Sequence, residues 1–232
     1  MQDVSVSLGE GETCAVIGPN GSGKTSLFNC ITGIYRPTSG TITFRGEEEL
    51  LGCSPDRVAA LGIARTFQNL RLFHKLTVLD NLMVGRHLHF KRNFLAALTR
   101  QRAEEIRHRR RCEEIIEFLD LEPVRKTRVA DCAFGVQKRV ELGRALATEP
   151  RLLLLDEPVS GLTQEEKEEF SYWIHEIRGR FSITVLLVEH DLRVASRLAN
   201  RMMALDHGIK IAEGTPAEVQ RHPDVVKAYL GE

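Results

Sequence analysis

"TCAVIGPNGSGKTSLFNCITGI", residues 13–34, runs a short apolar stretch into a glycine-rich loop and then into a segment that reads as a helix. Within it "GPNGSGKT", Gly18–Thr25, fits the pattern G-x-x-x-x-G-K-[ST] at every fixed position. Chemistry explains the spelling. The small residues of Gly18, Pro19, Asn20, Gly21, Ser22 and Gly23 let the backbone wrap closely and aim successive N–H groups at phosphate oxygens. Lys24 would reach β- and γ-phosphates, the Thr25 hydroxyl would ligate Mg²⁺, and Ser26 lies beside it. A plain glycine turn between strand and helix needs neither the lysine nor the threonine. The loop therefore reads as a nucleotide phosphate site.

A matching half lies far downstream. "RLLLLDEP", residues 151–158, delivers Asp156 and Glu157 at the end of an apolar strand, where open α/β sheets bind ligands. Asp156 would hold Mg²⁺ through its water shell, and Glu157 would orient or deprotonate an attacking water. An acidic pair capping a strand is the plainer alternative, and the upstream loop argues against it. "LLVEHD" ends another buried strand in His190, placed to sense or stabilise a γ-phosphate. A lone histidine at a strand end can also be structural.

The rest of the chain fits one α/β domain with a helical insertion. Its 232 residues suit one compact domain, 42% hydrophobic and 28% charged. Basic and acidic residues balance at 32 each, which argues against a generic nucleic-acid binder. Five scattered cysteines without a C-x-x-C pair suit free thiols in a reducing cytoplasm. No apolar run approaches the ~20 residues of a membrane span, and the N-terminus lacks the basic head and apolar core of a signal peptide. A cytosolic chain, or one docked on a membrane by a partner, is expected. "DVSVSL" alternates Val4, Val6 and Leu8 with polar residues as a half-buried strand does, and "SGTITFRG" reads as a strand between glycine turns. From about Leu76 to Leu121 the chain is helical and charged. Cys112, Ile115, Ile116 and Leu119 share one face there, and Glu105/Arg109 and Arg110/Glu114 stand at i,i+4 spacing. The continuous apolar runs around Leu153 and Leu186 suit parallel strands buried on both faces.

In this order the pieces resemble the ATP-binding subunit of ABC transporters, over essentially the whole chain. The resemblance implies a P-loop NTPase core with a mostly parallel sheet, a small N-terminal antiparallel β part and an inserted helical subdomain. Residues 1–72 and 148–232 would form the core and 73–147 the insertion. It implies ATP and Mg²⁺ as ligands, and ATP hydrolysis as the activity. "ARTFQN" puts Gln68 at the Q-loop, as a ligand near Mg²⁺ and a contact to membrane subunits. "SGLT", Ser160, Gly161, Leu162 and Thr163, falls on the D-loop, and His190 on the switch histidine. Two such subunits would dimerise head to tail, each ATP lying between one P-loop and the other subunit's signature motif. Within the family, "FHKLTVLDNLMVGRH", "VEHDL" and "AEGTPAEVQRHPDVVKAYLGE" resemble branched-chain amino acid importers, specifically the longer of their two ATPase subunits. Importers of urea or other amides look similar. The implied partners are a second ATPase subunit, two membrane permeases and, indirectly, a solute-binding protein, with the chain on the cytoplasmic face of the membrane.

Three departures bear on mechanism. The family's L-S-G-G-Q falls on Cys132, Ala133, Phe134, Gly135 and Val136. The missing Ala133 hydroxyl would cost about 1.5–3 kcal/mol as a lost charge-assisted hydrogen bond to the partner's ATP. Thr163 stands where an aspartate or asparagine is usual. The family's adenine-stacking aromatic is expected upstream of the segment where this chain begins: either the start is truncated or adenine is held weakly, a contact worth about 1–3 kcal/mol in analogous sites. Together these imply an asymmetric heterodimer in which this chain's own P-loop, Glu157 and His190 form the competent site. The alternatives are an ABC ATPase outside transport, acting on ribosomes or DNA, and a regulatory subunit with little turnover. Of the remaining residues, Arg107–Arg111 read as a solvated helix face, with anionic lipid heads or a permease loop as the alternative contact. "FHKLTVLDNL" reads as a permease-facing surface or as core, Tyr172 and Trp173 as packing residues, and the histidines of the insertion as no metal cluster.

Overall fold

The computed structural model describes residues 1–90 and 97–230; residues 91–96 of the insertion and the last two of the tail stretch lie outside the described residues. In chain order the elements are β1 (Thr13–Ile17), α1 (Lys24–Ile31), β2 (Thr43–Phe44), β3 (Glu48–Glu49), α2 (Pro55–Ala60) and β4 (Ile63–Arg65). Then come α3 (Val78–Gly85), α4 (Ala97–Phe118), α5 (Phe134–Ala147), β5 (Leu152–Asp156) and α6 (Gln164–Phe181). The chain continues through β6 (Thr184–Val188), α7 (Leu192–Leu198), β7 (Arg201–Asp206), β8 (Ile209–Gly214), α8 (Pro216–Arg221) and α9 (Pro223–Leu230).

Six strands form one sheet in the order β4-β5-β6-β1-β7-β8. Neighbours from β4 to β7 pair in parallel, and β8 closes the edge antiparallel to β7. Period-two alternation divides the strands between two cores. Ala15, Ile17, Leu153, Leu155, Val185 and Leu187 face the larger cluster, while Cys14, Val16, Leu152, Leu154, Leu186 and Val188 pack on Phe28 and Leu27 of α1. Burial on both faces is why these runs carry no polar alternation. Register then sets the site: Asp156 of β5 and Val16 of β1 both lie beside Val188 of β6, so the residues after each strand emerge at one sheet edge.

The insertion forms its own layer. Cys112, Ile115 and Ile116 of α4, and Leu119 just past its end, are fully buried, as their spacing requires, against Leu82 of α3 and Val140 and Leu142 of α5. At the α3–α5 crossing a Cβ on Gly85 would strike the Arg144 carbonyl, so only glycine permits that approach.

Four readings need correction. Val4, Val6 and Leu8 are half-buried against the smaller core, but residues 1–12 form no strand. The carbonyls of Ser5 and Ser7 accept from the Lys210 and Arg201 side chains instead of from a neighbouring strand. Of "SGTITFRG" only Thr43–Phe44 pairs, in a two-residue ladder with β3. On α4, Glu114 pairs with Arg111 at 2.6 Å, three residues back, and not with Arg110. Tyr172 is 61% exposed, so only Trp173, at 5%, is a packing residue.

Candidate functional site

The loop between β1 and α1 has the shape its sequence requires. Gly18, Gly21 and Gly23 have φ of 148°, 82° and 105°, a region that L side chains rarely adopt. At Gly18 space adds to conformation, because a Cβ would collide with the Leu205 carbonyl and stand 2.7 Å from Ser22 Oγ. Lys24 is buried, and its Nζ donates to the Gly18 and Pro19 carbonyls at 2.8 and 2.9 Å. Burial lowers its pKa from the usual lysine value, against the pull of Glu157 and Asp156. Ser22 Oγ is buried without a hydrogen-bond partner among the described residues. The Thr25 side chain is exposed on the first turn of α1.

At the ends of β5 and β6 the acidic groups take different environments. Asp156, at 5% exposure, pairs through Oδ2 with Arg65 Nη2 at 2.7 Å. Arg65 also donates to Asn29 Oδ1 at 2.7 Å and lies over the Phe28 and Phe67 rings. Glu157 has φ of +47°, a strained value for a side-chain-bearing residue, and its N–H is held by the Val188 carbonyl at 3.0 Å. That turn presents its carboxylate to two other residues singled out from the sequence, in contacts the sequence did not foretell. Gln68 Nε2 donates to Oε2 at 3.0 Å, and His190 Nδ1 stands 3.6 Å from the same oxygen. His190 remains 56% exposed, open to whatever enters from that edge. Beneath it Glu189 is buried, which pushes its carboxyl up to about 7 although the backbone N–H groups of Val159 and His190 lower it.

The signature and D-loop stretches meet in this chain. Ala133 is the N-cap of α5, with no side-chain cap, and Gln137 N–H bonds its carbonyl at 3.0 Å. The N–H groups of Phe134, Gly135 and Val136 therefore lack helical acceptors, a positive end suited to an anion. A Cβ on Gly135 would collide with Glu166 Oε1, and one on Gly161 would lie 3.0 Å from the Phe134 ring. Thr163 caps α6: its Oγ1 accepts from Glu166 N–H at 3.3 Å, and Glu166 Oε2 accepts from Thr163 N–H at 2.8 Å. The departure from aspartate thus has a structural use, since Thr163 and Glu166 form a capping box. Ser160 N–H ties back to the Glu157 carbonyl at 3.2 Å, and Leu162 is buried in the core.

Several participants escape a sequence reading. Arg65 and Thr66 stand three and two residues before Gln68, and Thr66 Oγ1 accepts from Asp156 N–H at 3.4 Å. Tyr229, on α9, accepts the Gly18 N–H at 2.9 Å across 211 residues of sequence. The one available signal was position, a charged residue next to a recognised motif. For a hard divalent cation the donors fit in kind: the Thr25 hydroxyl, the Gln68 amide oxygen and the Asp156 carboxylate are all oxygens. Gln68 spends its nitrogen on Glu157, which leaves its oxygen available. No helix among the described residues is long and apolar enough to cross a membrane.

The chain is similar to several known proteins. Residues 1–160 match the family model described as ABC transporter, and residues 210–232 match one described as branched-chain amino acid ATP-binding cassette transporter. The chain is 40% identical to the high-affinity branched-chain amino acid transport ATP-binding protein BraF of Pseudomonas aeruginosa, over 99% of this chain and 91% of that protein. It is 37% identical to LivG of Escherichia coli, which carries the same description, over 100% and 92% of the two chains. A nucleotide-free ATP-binding cassette from an ABC transporter superposes with a TM-score of 0.85 at 31% identity, covering 99% of this chain and 92% of that one. An ADP-bound cassette gives 0.84 at 30% identity, covering 99% and 91%. The chain belongs to the ABC transporter family, as one of its ATP-hydrolysing cassettes.

Proposed function

We propose that the chain powers uptake of branched-chain amino acids or related small solutes, as one of two ATPase subunits beneath a pair of membrane permeases. The convergence of Gln68 and His190 on Glu157, at the edge where the phosphate loop opens, carries the mechanistic part of the reading. The loop from Gly18 to Ser26 holds the phosphates. Lys24 exchanges its two carbonyl partners for β- and γ-phosphate oxygens, a charge-assisted contact stronger than the neutral ones it gives up. Mg²⁺, held by Thr25, Gln68 and Asp156, would neutralise charge developing on the β- and γ-oxygens. Glu157 orients the attacking water and accepts its proton, while His190 faces the γ-phosphate. The core comprises residues 1–72 and 148–232, and residues 73–147 serve as the helical subdomain.

Head-to-tail pairing with a second ATPase subunit would bring the N-terminus of α5 to the partner's nucleotide, with Ala133, Phe134, Gly135 and Val136 at the contact. Lacking a hydroxyl at Ala133, that site is the weaker of the two, which makes the pair an asymmetric heterodimer. An apolar cleft of about 330 Å³ between core and insertion, lined by Ile34, Val58, Phe67, Val84 and Leu88, suits a cytoplasmic segment of a permease. The solute reading is supported by the tail model over residues 210–232 and by the names of BraF and LivG. A sulfate/thiosulfate import ATP-binding protein of Rhizobium meliloti is also 37% identical, so overall identity does not choose the solute. The test is copurification with the membrane partners, followed by ATPase assay with a loaded solute receptor. Turnover stimulated by leucine-, isoleucine- or valine-loaded receptor is expected. A chain that binds no permease, or turnover that never responds to a loaded receptor, overturns the reading.

A further inference from the structure

Glu141 lies on α5, seven residues past the helix start, and is 3% exposed. Its Oε1 accepts from the backbone N–H groups of Phe67 and Arg71, each at 3.4 Å. Those two amides bracket Gln68. One turn further along the same helix, Arg144 Nη1 donates to the Arg71 carbonyl. Lys138, one turn back and 2% exposed, supplies the nearby positive charge that attracts the Glu141 carboxylate. Burial still raises Glu141 above the usual carboxylate range, and the Arg71 and Phe67 amides offset part of that. A carboxylate taken out of water this far must be held by specific partners, and here both hydrogen-bonded partners belong to the loop that carries Gln68.

We propose that Glu141 is a positioning residue for hydrolysis: it fastens the Q-loop to the signature helix of its own chain and thereby sets where Gln68 meets Glu157. This rests on the assignment of Gln68 and Glu157 to the hydrolytic site. A helix moves as a rod at 1.5 Å per residue, so the α5 end aimed at one nucleotide and the carboxylate gripping the loop at the other are about 10 Å apart on one rigid element. When α5 docks, the loop moves with it, and the Gln68–Glu157 contact responds. One chain thus links the two nucleotide sites through a residue that touches neither nucleotide.

The test uses the full chain and its copurified complex, with Glu141→Leu, which removes the acceptor, and Glu141→Gln, which keeps an acceptor oxygen. Two quantities are read: hydrogen–deuterium exchange of the Phe67 and Arg71 amides, and kcat and KM for ATP. Glu141→Leu should speed exchange at both amides at least tenfold and lower kcat at least tenfold, with KM within twofold. Glu141→Gln should stay within threefold of the parent in both. Unchanged exchange or kcat in Glu141→Leu, or Glu141→Gln behaving like Glu141→Leu, overturns the proposal. Should Glu141→Leu fail to fold, Glu141→Asp, one methylene short, should raise exchange and lower kcat at least threefold, and parental values would overturn it. Glu157→Gln serves as the control: if it leaves turnover intact, the hydrolytic-site assignment fails, whereas the exchange measurement still judges Glu141.

Discussion

Replacing Arg65 with leucine tests how Asp156 is held. The Arg65–Asp156 pair closes to 2.7 Å with side chains only 6% and 7% exposed, so solvent screens it little. Removing the guanidinium leaves a buried carboxylate without its counter-ion, which costs about 3–5 kcal/mol. The lost bond to Asn29 adds about 1 kcal/mol. At 1.4 kcal/mol per decade, a loss of about 4 kcal/mol is roughly a thousandfold fall in the folded-to-unfolded ratio. Urea unfolding should show a lower midpoint at constant slope. The double variant Arg65→Leu/Asp156→Leu should recover most of that stability, because it removes both charges together, yet hydrolyse no ATP. A loss below about 1 kcal/mol for Arg65→Leu, the range of exposed pairs, would refute the reasoning.

Other outcomes follow from the same geometry. Tyr229→Phe removes the acceptor for the Gly18 N–H and should cost about 1–3 kcal/mol of stability in urea, with a weaker affinity for ATP. Ala133→Ser supplies both a helix cap and a donor toward the partner's nucleotide. Thermal unfolding of the free chain should gain about 1 kcal/mol, and ATP-dependent dimerisation should tighten about tenfold or more. Glu189, raised to about 7 in the folded chain, binds a proton there that the unfolded chain has released above its ordinary carboxylate pKa. Stability should therefore fall as pH rises through that window, and Glu189→Gln should flatten the decline in a pH series of melting temperatures. Glu12 behaves oppositely. Its hydrogen bond to Arg201 lowers its pKa, so its contribution is present above the unfolded carboxylate value and lost as pH falls below it. Glu12→Gln should reduce acid sensitivity below about pH 4.5.

What was legible in the sequence was what is local. Gly18–Thr25, the apolar run ending in Asp156 and Glu157, and the face of Cys112, Ile115, Ile116 and Leu119 are each spelled within one short stretch of chain, where spacing alone carries the chemistry. The parallel sheet was legible for a related reason, since strands buried on both faces admit no polar alternation. Contacts across the fold were not. Arg65 meets Asp156 over 91 residues, Phe67 meets Glu141 over 74, and Gly18 meets Tyr229 over 211, so each depends on a strand order that no local pattern encodes. Alternation at Val4, Val6 and Leu8 reported their half-burial correctly but not the lack of a ladder, because burial and pairing are separate conditions. Thr163, judged against its family's usual residue, looked like a loss. Its capping role depends on Glu166 three residues on, a spacing that was readable in the sequence.

The measurement that reaches the centre of the account is steady-state ATP hydrolysis by the copurified complex after Glu157→Gln in this chain, beside the same change at the matching glutamate of the partner subunit. The account predicts at least a hundredfold loss from Glu157→Gln with ATP still bound, and less than a threefold loss from the partner's change. Equal losses from the two would contradict the asymmetry, and retention of most activity in Glu157→Gln would contradict the site itself.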